Sequence, residues 1–140
     1  MKLLIDTWGW ITLSNKREPR HKEIKAFYEG LRLKKGVFYT TDYILDETIT
    51  LLFRHLPFKT AKQGLEKIER GISENYLILE WATKERFKRA RDLRLKFQDK
   101  PKISFTDLTS MVVMKELRIK DVLTEDDHFT QVGMGFRKLS

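Results

Sequence analysis

Short runs of apolar residues recur along the chain without the polar alternation that marks a half-exposed strand. Such runs are typical of strands that are buried on both faces of a parallel sheet. The predicted strands are Leu3–Ile5, Val37–Thr40, Tyr76–Leu79 and Asp121–Thr124. Glycines at 133 and 135 indicate a turn, and we expect a final short strand after it.

Between these runs, apolar residues are spaced three and four positions apart, as on one side of an α-helix. Ile24, Phe27 and Leu31 show this spacing in the first long segment. The predicted helices are His21–Lys34, Thr41 or Asp42 to His55, Thr60–Gly71, Thr83–Gln98 and Phe105–Leu117, after a first segment at Trp8–Ser14. The alternation of strands and helices predicts an α/β fold, in which right-handed crossovers build a mostly parallel sheet with helices on both faces.

The composition fits one domain that spans residues 1–140. A chain of this length buries about two-thirds of its unfolded surface around one core, and 41% of the residues are hydrophobic. No apolar stretch approaches the roughly 20 residues that span a bilayer. An acid follows the first apolar run, which leaves no room for the core of a secretory signal. We therefore expect a soluble, cytoplasmic protein without membrane contact.

Cysteine is absent, so disulfides and thiolate zinc sites are excluded. The three histidines, His21, His55 and His128, have no paired ligand spacing, which argues against a zinc enzyme. The metal chemistry that remains for this chain uses oxygen ligands.

The net charge is +8, from 28 Lys and Arg against 20 Asp and Glu. This excess favours a polyanionic partner without naming one. The basic residues concentrate between Lys16 and Lys35 and between Lys84 and Lys102. A basic amphipathic helix is either a solvated surface or a nucleic-acid contact, and charge alone leaves both interpretations open.

Acidic residues follow two of the predicted strands. Asp6 comes directly after the first strand, and Glu125, Asp126 and Asp127 follow the strand that ends at Thr124. Ligands of open parallel sheets bind beyond the carboxyl ends of the strands, near the point where the strand order reverses. If these two strands are neighbours, their carboxylates share one edge of the sheet.

Two predicted helices add acids on or beside their buried sides. Asp107 lies four positions before Met111 on the most apolar helix, so it points along the side that enters the core. Asp46 and Glu47 both lie near apolar positions of the helix that ends at His55. Periodicity does not choose between those two acids.

Each acid also has a purely structural explanation. Ser104–Asp107 and Thr124–Asp127 fit capping boxes, and Asp6 can cap the segment that follows it. Together, however, four carboxylates about 5–8 Å apart would repel by roughly 10–20 kcal/mol, which rivals the stability of a whole domain, about 5–15 kcal/mol. Such a cluster persists only if some members stay protonated, if Lys or Arg intrudes, or if a divalent cation binds. Ligands that are all oxygens favour Mg²⁺ or Mn²⁺.

The order of these residues resembles the PIN-domain family, and within it the VapC-type toxin ribonucleases, across essentially the whole chain. The matching stretches are Leu4–Thr7, Asp46–Leu52, Ile103–Asp107 and Val122–Phe129, followed by Gly133 and Phe136. The resemblance implies a PIN-like three-layer α/β/α sandwich with a mostly parallel central sheet.

The resemblance also implies four catalytic acids, one from each matching stretch. They are Asp6, Glu47 rather than Asp46, Asp107 and Asp126. Of these, Asp6, Asp107 and Asp126 are the expected ligands of Mg²⁺ or Mn²⁺. Such an ion would activate the water that hydrolyses an RNA phosphodiester bond. The implied activity is that of a metal-dependent endoribonuclease.

Neighbouring residues take auxiliary roles by the same resemblance. Thr7 and Thr106 are similar to family residues that orient the first acid or a bound water. Asp127 stands beside the fourth acid and can assist or replace it. Glu125 departs from the family, in which an apolar or aromatic residue is usual at this position.

Three partners follow from the resemblance. They are an RNA substrate, a second copy of the chain in a homodimer, and a small antitoxin protein whose tail enters the acidic site, often with an Arg. The helices after Thr41 and Thr60 are the expected antitoxin surface. Phe53, Leu56 and Phe58 are candidate anchors, and core packing is the preferred alternative for Phe53.

Two other functions compete with the nuclease. A non-catalytic PIN-like RNA-binding or assembly module is possible because folds outlive their activities, but the presence of all four acids argues against it. A phosphatase with Asp6 as nucleophile would generally carry a second Asp two positions later, where this chain has Trp8.

Overall fold

A computed structural model describes residues 1–139, within which the chain forms five strands and seven helices. The strands are β1 (Lys2–Ile5), β2 (Val37–Thr41), β3 (Leu77–Glu80), β4 (Asp121–Leu123) and β5 (Arg137–Leu139). The helices are α1 (Thr7–Ser14), α2 (His21–Leu33), α3 (Asp42–His55), α4 (Phe58–Ser73), α5 (Lys84–Lys96), α6 (Phe105–Leu117) and α7 (His128–Gln131). Every predicted strand and helix is present, with ends that differ by at most two positions.

The strands are all parallel and lie in the order β3-β2-β1-β4-β5. The chain moves outward from β1 to β3, then crosses back to β4 on the other side of β1. Right-handed crossovers place α1–α4 on one face and α5–α7 on the other, which agrees with the contacts of α1 with α2, α3 and α4 and of α5 with α6. The predicted three-layer α/β/α sandwich is confirmed, and the strand order reverses between β1 and β4.

The central strands are apolar because helices cover both of their faces. Ile5, Phe38 and Val122 are completely buried, as expected for parallel strands in the middle of a sheet. The first helix passes close over β1 and β4 at Gly9. A Cβ atom there would lie 2.8 Å from Ile5 Cγ2 and 3.1 Å from Leu123 Cδ2. The missing side chain thus lets α1 start directly at the end of β1.

Candidate active site

The ends of β1 and β4 lie side by side where the strand order reverses. Ile5 and Leu123 are register partners, and the Asp6 N–H donates to the Leu123 carbonyl at 3.1 Å. The next residues, Asp6 and Thr124, therefore emerge together at the carboxyl edge of the sheet. This is the edge at which open parallel sheets bind their ligands.

Asp6 is buried at this edge and held by a hydrogen bond to the neighbouring strand. The Thr124 hydroxyl donates to Asp6 Oδ2 at 2.9 Å and accepts from the Asp126 N–H at 3.1 Å. The Asp6 side chain makes no cap hydrogen bond to α1, so the capping explanation is wrong. Burial, together with repulsion from Asp107 and Glu47, raises the pKa of Asp6 to about 7.

Asp107 comes to the site from the first turn of α6. Ser104 caps this helix by accepting from the Asp107 N–H at 3.0 Å, so the predicted cap is present. The Asp107 carboxylate does not bond back to the Ser104 N–H, as it would in a capping box, but contacts His128 Nδ1. Burial raises the pKa of Asp107 and repulsion from Asp126 and Glu47 adds to this, while the His128 hydrogen bond opposes it.

Asp126 and His128 lie on the β4 side of the site. Together with Asp6, Asp107 and Glu47 they make up what is called the cluster below. The backbone N–H of His128 donates to Asp126 Oδ1 at 2.9 Å. The ring atom Nδ1 of His128 lies 2.8 Å from Asp126 Oδ2 and 3.0 Å from Asp107 Oδ2. A histidine nitrogen, which the sequence analysis did not include, therefore lies among the carboxylate oxygens that were predicted as ligands. The available signal was its position two residues after Asp126, at the start of a short helix.

The turn after β4 is built differently from the predicted capping box. The Thr124 hydroxyl accepts a hydrogen bond from the N–H of Asp126, which is two positions later in the chain, and α7 begins only at His128. Thr124 is thereby used to hold Asp6, and the turn brings Asp126 toward Asp107.

Glu47 and Asp46 are both exposed on α3, but only one of them acts on the cluster. The negative charge of Glu47 helps to raise the pKa of Asp6 and of Asp107. Asp46 is not among the charges that shift either group within the described residues. The charge of Glu47, and not that of Asp46, therefore acts on the two buried acids.

The three auxiliary candidates differ in their surroundings. The Thr7 hydroxyl is buried and has no hydrogen-bond partner within residues 1–139. Thr106 is half-buried beside Asp107 in sequence. Asp127 is exposed and paired with Lys138 at 2.8 Å, which holds the pKa of Asp127 below its usual range. Asp127 is therefore engaged outside the cluster.

The cluster fits a divalent cation. Across residues 1–139, no Lys or Arg forms an ion pair with its four carboxylates, and the positive partner available is His128, if protonated. Asp107, Asp126 and His128 each offer one ligand atom, and these atoms lie within 4.8 Å of one another.

The basic helix α5 uses two of its arginines within the fold. Arg86 pairs with Glu80 at 3.0 Å and with Glu116 at 2.9 Å. Arg94 donates to three backbone carbonyls in the loop 97–103, which it holds against the end of the helix. For these side chains the structural interpretation of the charge run is confirmed, and the count of basic residues overstates the charge available to a partner.

The chain belongs to the PIN-domain family, because the PIN domain matches residues 3–134. Within that family it is similar to a VapC ribonuclease of Archaeoglobus fulgidus, with 28% identity over 96% of this chain and 83% of the relative.

Two solved structures resemble the fold. VapC20 of Mycobacterium tuberculosis, a toxin that cleaves the sarcin–ricin loop, superposes with a TM-score of 0.75 and 27% identity over 94% of this chain and 95% of its own. VapBC2 from Rickettsia felis, bound to a DNA fragment from its promoter, has a TM-score of 0.71 and 15% identity with complete coverage of both chains. None of the helices within residues 1–139 is both long and apolar enough to cross a membrane.

Proposed function

We propose that this protein is a metal-dependent endoribonuclease and the toxin of a VapBC toxin–antitoxin pair. Membership of the PIN family and similarity to a VapC ribonuclease over nearly the whole chain support this. The observation that carries it is the cluster itself, since Asp6 and Asp107 are buried beside other acids at the edge where the strand order reverses. Action on cellular RNA would place the protein in the cytoplasm.

The residues of the cluster divide the chemistry among them. Asp6, Asp107 and Asp126 would hold Mg²⁺ or Mn²⁺. When bound, such an ion lowers the pKa of a coordinated water and neutralises charge on the phosphate. Thr124 fixes Asp6 by donating a hydrogen bond to Oδ2. Glu47, exposed beside the buried acids, can accept the proton of the attacking water.

Cleavage assays with purified protein test the nuclease. RNA should be cut when Mg²⁺ or Mn²⁺ is added, and EDTA should abolish cleavage. Asp6→Asn, Glu47→Gln and Asp107→Asn should each lower the rate by about 100-fold or more, because each removes a charge from the place where the reaction develops charge.

The control is Asp92→Asn on the exposed surface of α5, which should cleave like the wild type. Cleavage that survives exhaustive chelation would contradict the metal-dependent reaction. Binding of RNA without cleavage in either metal would instead favour the non-catalytic RNA-binding or assembly module.

The antitoxin is proposed to bind a groove of about 790 Å³ between α1, α2 and α4. Basic side chains dominate it, and Glu29 is its one acid among the described residues. The cations that line it are Lys16, Arg17, Lys25, Arg32, Lys67 and Arg70. Trp10, Leu13 and Leu56 also line it, so the groove suits a segment that is acidic and partly apolar.

The predicted antitoxin surface differs from this groove in one wall. Helix α4 and Leu56 contribute as expected, but α1 and α2 form the opposite side instead of α3. Phe53 and Phe58 pack on each other with ring centroids 5.5 Å apart, and Phe58 is 72% exposed. Neither is among the groove residues of the described chain, so Leu56 is the one predicted anchor that lines it.

Charge reversal in the groove tests this docking. The double variant Lys67→Glu with Arg70→Glu should weaken binding of the proposed antitoxin by about tenfold or more, because like charges would face each other. Lys59→Glu lies on the same helix outside the groove and is the matched control. Isothermal titration calorimetry measures both, and equal affinity of the double variant and the wild type would exclude this groove.

We also propose that the chain forms a homodimer, as the family resemblance implies. Trp81 and Phe87 provide exposed apolar surface for such a contact. Light scattering of the purified protein at high concentration measures the mass directly, and a monomer would contradict the dimer.

A further inference from the structure

The position of His128 suits a metal ligand. Its Nδ1 atom lies 3.0 Å from Asp107 Oδ2 and 2.8 Å from Asp126 Oδ2. Neighbouring ligands on an octahedral ion with bonds of about 2.0–2.1 Å are about 2.9 Å apart. The spacing of Nδ1 from each of the two carboxylate oxygens is therefore that of adjacent ligands in one coordination sphere, and the ligand atoms of all three residues lie within 4.8 Å of one another.

We propose that His128 Nδ1 is a direct ligand of the ion held by Asp107 and Asp126, and that the site consequently selects a first-row transition ion such as Mn²⁺ over Mg²⁺. Carboxylates and water alone suit Mg²⁺, whereas an imidazole nitrogen favours transition ions. The inference rests on the proposed function, because it takes for granted that a divalent ion binds at these acids.

The surroundings of the ring agree with this role. The backbone N–H of His128 donates to Asp126 Oδ1 at 2.9 Å, which holds the Asp126 carboxylate against the start of α7, next to the His128 ring. His128 also lines a cavity of about 290 Å³ formed with the loop 99–103 and Gln131. Histidines that bind metals usually donate their second ring N–H to a carboxylate, a carbonyl or water. Water in this cavity can accept that hydrogen bond from Nε2.

The competing role for His128 is that of a hydrogen-bond donor that only holds the two acids together. His128→Asn separates the two roles, because the asparagine amide places either an oxygen or an N–H close to the position of Nδ1. If His128 is a ligand, His128→Asn leaves a site in which every ligand atom is an oxygen. The preference for Mn²⁺ over Mg²⁺ should then fall by about tenfold or more. Even the loss of a residue that only orients a ligand lowers metal affinity by about 10- to 100-fold. A simple donor would be replaced by the amide N–H, and the preference would not change.

Metal binding to the full-length protein provides the first measurement. Mn²⁺ and Mg²⁺ are titrated separately, without RNA, into the wild type, His128→Asn, His128→Ala and the control His55→Asn, whose side chain is exposed at the end of α3. The wild type and His55→Asn should prefer Mn²⁺ strongly, His128→Asn should lose this preference, and His128→Ala should bind both ions weakly. An unchanged ratio of affinities in His128→Asn would overturn the proposal.

Pulsed electron paramagnetic resonance of the bound Mn²⁺ gives a second measurement that does not depend on any variant folding. The wild type should show coupling of the ion to a directly bound imidazole nitrogen, and His128→Asn should lack it. Mn²⁺ bound without nitrogen coupling in the wild type would overturn the role of His128 but leave the proposed nuclease intact. Failure of both ions to bind would overturn the metal-dependent function as well.

Discussion

The acids at the ends of β1 and β4 and the arginines of α5 are both partly removed from water, but their neighbours differ in sign. Asp6 lies near Asp107 and Glu47, and its pKa rises to about 7. Arg86 lies between Glu80 and Glu116, with 12% of its side chain exposed. The clustered acids destabilise the fold unless a cation binds to them, whereas the ion pairs of Arg86 stabilise it. The nearest opposite charge, rather than the amount of charge, distinguishes the candidate site from the scaffold.

The largest expected effect concerns the stability of the metal-free protein. Asp6 loses its proton near pH 3.8 in the unfolded chain but only at about 7 in the folded one. The folded state therefore holds an extra proton between these values, so the free energy of unfolding falls as the pH rises from about 4 to about 7. One pKa unit is worth about 1.4 kcal/mol, so the fall is about 4 kcal/mol. Urea denaturation at a series of pH values measures it.

Asp6→Asn is the control for this pH dependence. In this variant the free energy of unfolding should depend much less on pH. The dependence that remains should come from Asp107, because burial raises the pKa of Asp107 as well. The variant should be more stable than the wild type above pH 7 when metal is absent. Added Mn²⁺ should stabilise the wild type and reduce that advantage. Identical slopes in the two proteins would show that the pKa of Asp6 is not raised in the folded protein.

A smaller loss of stability is expected when the pairing on α5 is broken. Arg86→Met keeps the apolar stem but leaves Glu80 and Glu116 without their donor, which should lower the free energy of unfolding by about 1–3 kcal/mol. Arg89→Met removes only one partner of Glu116 from a side chain that is 59% exposed, so less than about 1 kcal/mol should be lost. Equal losses would indicate that burial of Arg86 adds nothing to its pairing. Thermal or urea unfolding measures both variants.

The smallest effect is expected at Asp127. Because this acid pairs with Lys138, Asp127→Asn should keep RNA cleavage within about twofold of the wild type. Asp126→Asn, one position earlier, should lose most of the activity. A reversal of this pair in the cleavage assay would move the fourth acid to Asp127 and contradict the geometry of the turn after β4.

The succession of strands and helices was predictable because each element carries its own pattern. The apolar helix Phe105–Leu117 matches its prediction at both ends, since its buried residues and its Ser104 cap are local signals. That β1 and β4 are neighbours could not be predicted from the sequence, which allowed only the statement that their acids would meet if the two strands were adjacent. Pairing between strands so far apart in sequence leaves no mark in either strand.

The candidate site shows the same division. Asp6 and Asp107 were recognisable because an acid at the end of a buried strand, or on the buried side of a helix, conflicts with the local pattern. The place of His128 in the cluster was missed because its partner Asp107 lies 21 positions away, and its position two residues after Asp126 is only a weak local signal. For α5, the run of basic residues could not reveal that Arg86 meets Glu116, which comes from another helix.

The hydrogen bond from Thr124 to Asp6 has a consequence for the synthesis of the protein. The two residues are separated by 118 positions, and the central strand β1 is made long before its neighbour β4. Contacts of such long sequence separation form late and slowly in folding. While the chain is still growing, Asp6 lacks its neighbour and His128 has not yet reached Asp107. The proposed nuclease site is therefore incomplete in the growing polypeptide until β4 has been made and has paired with β1.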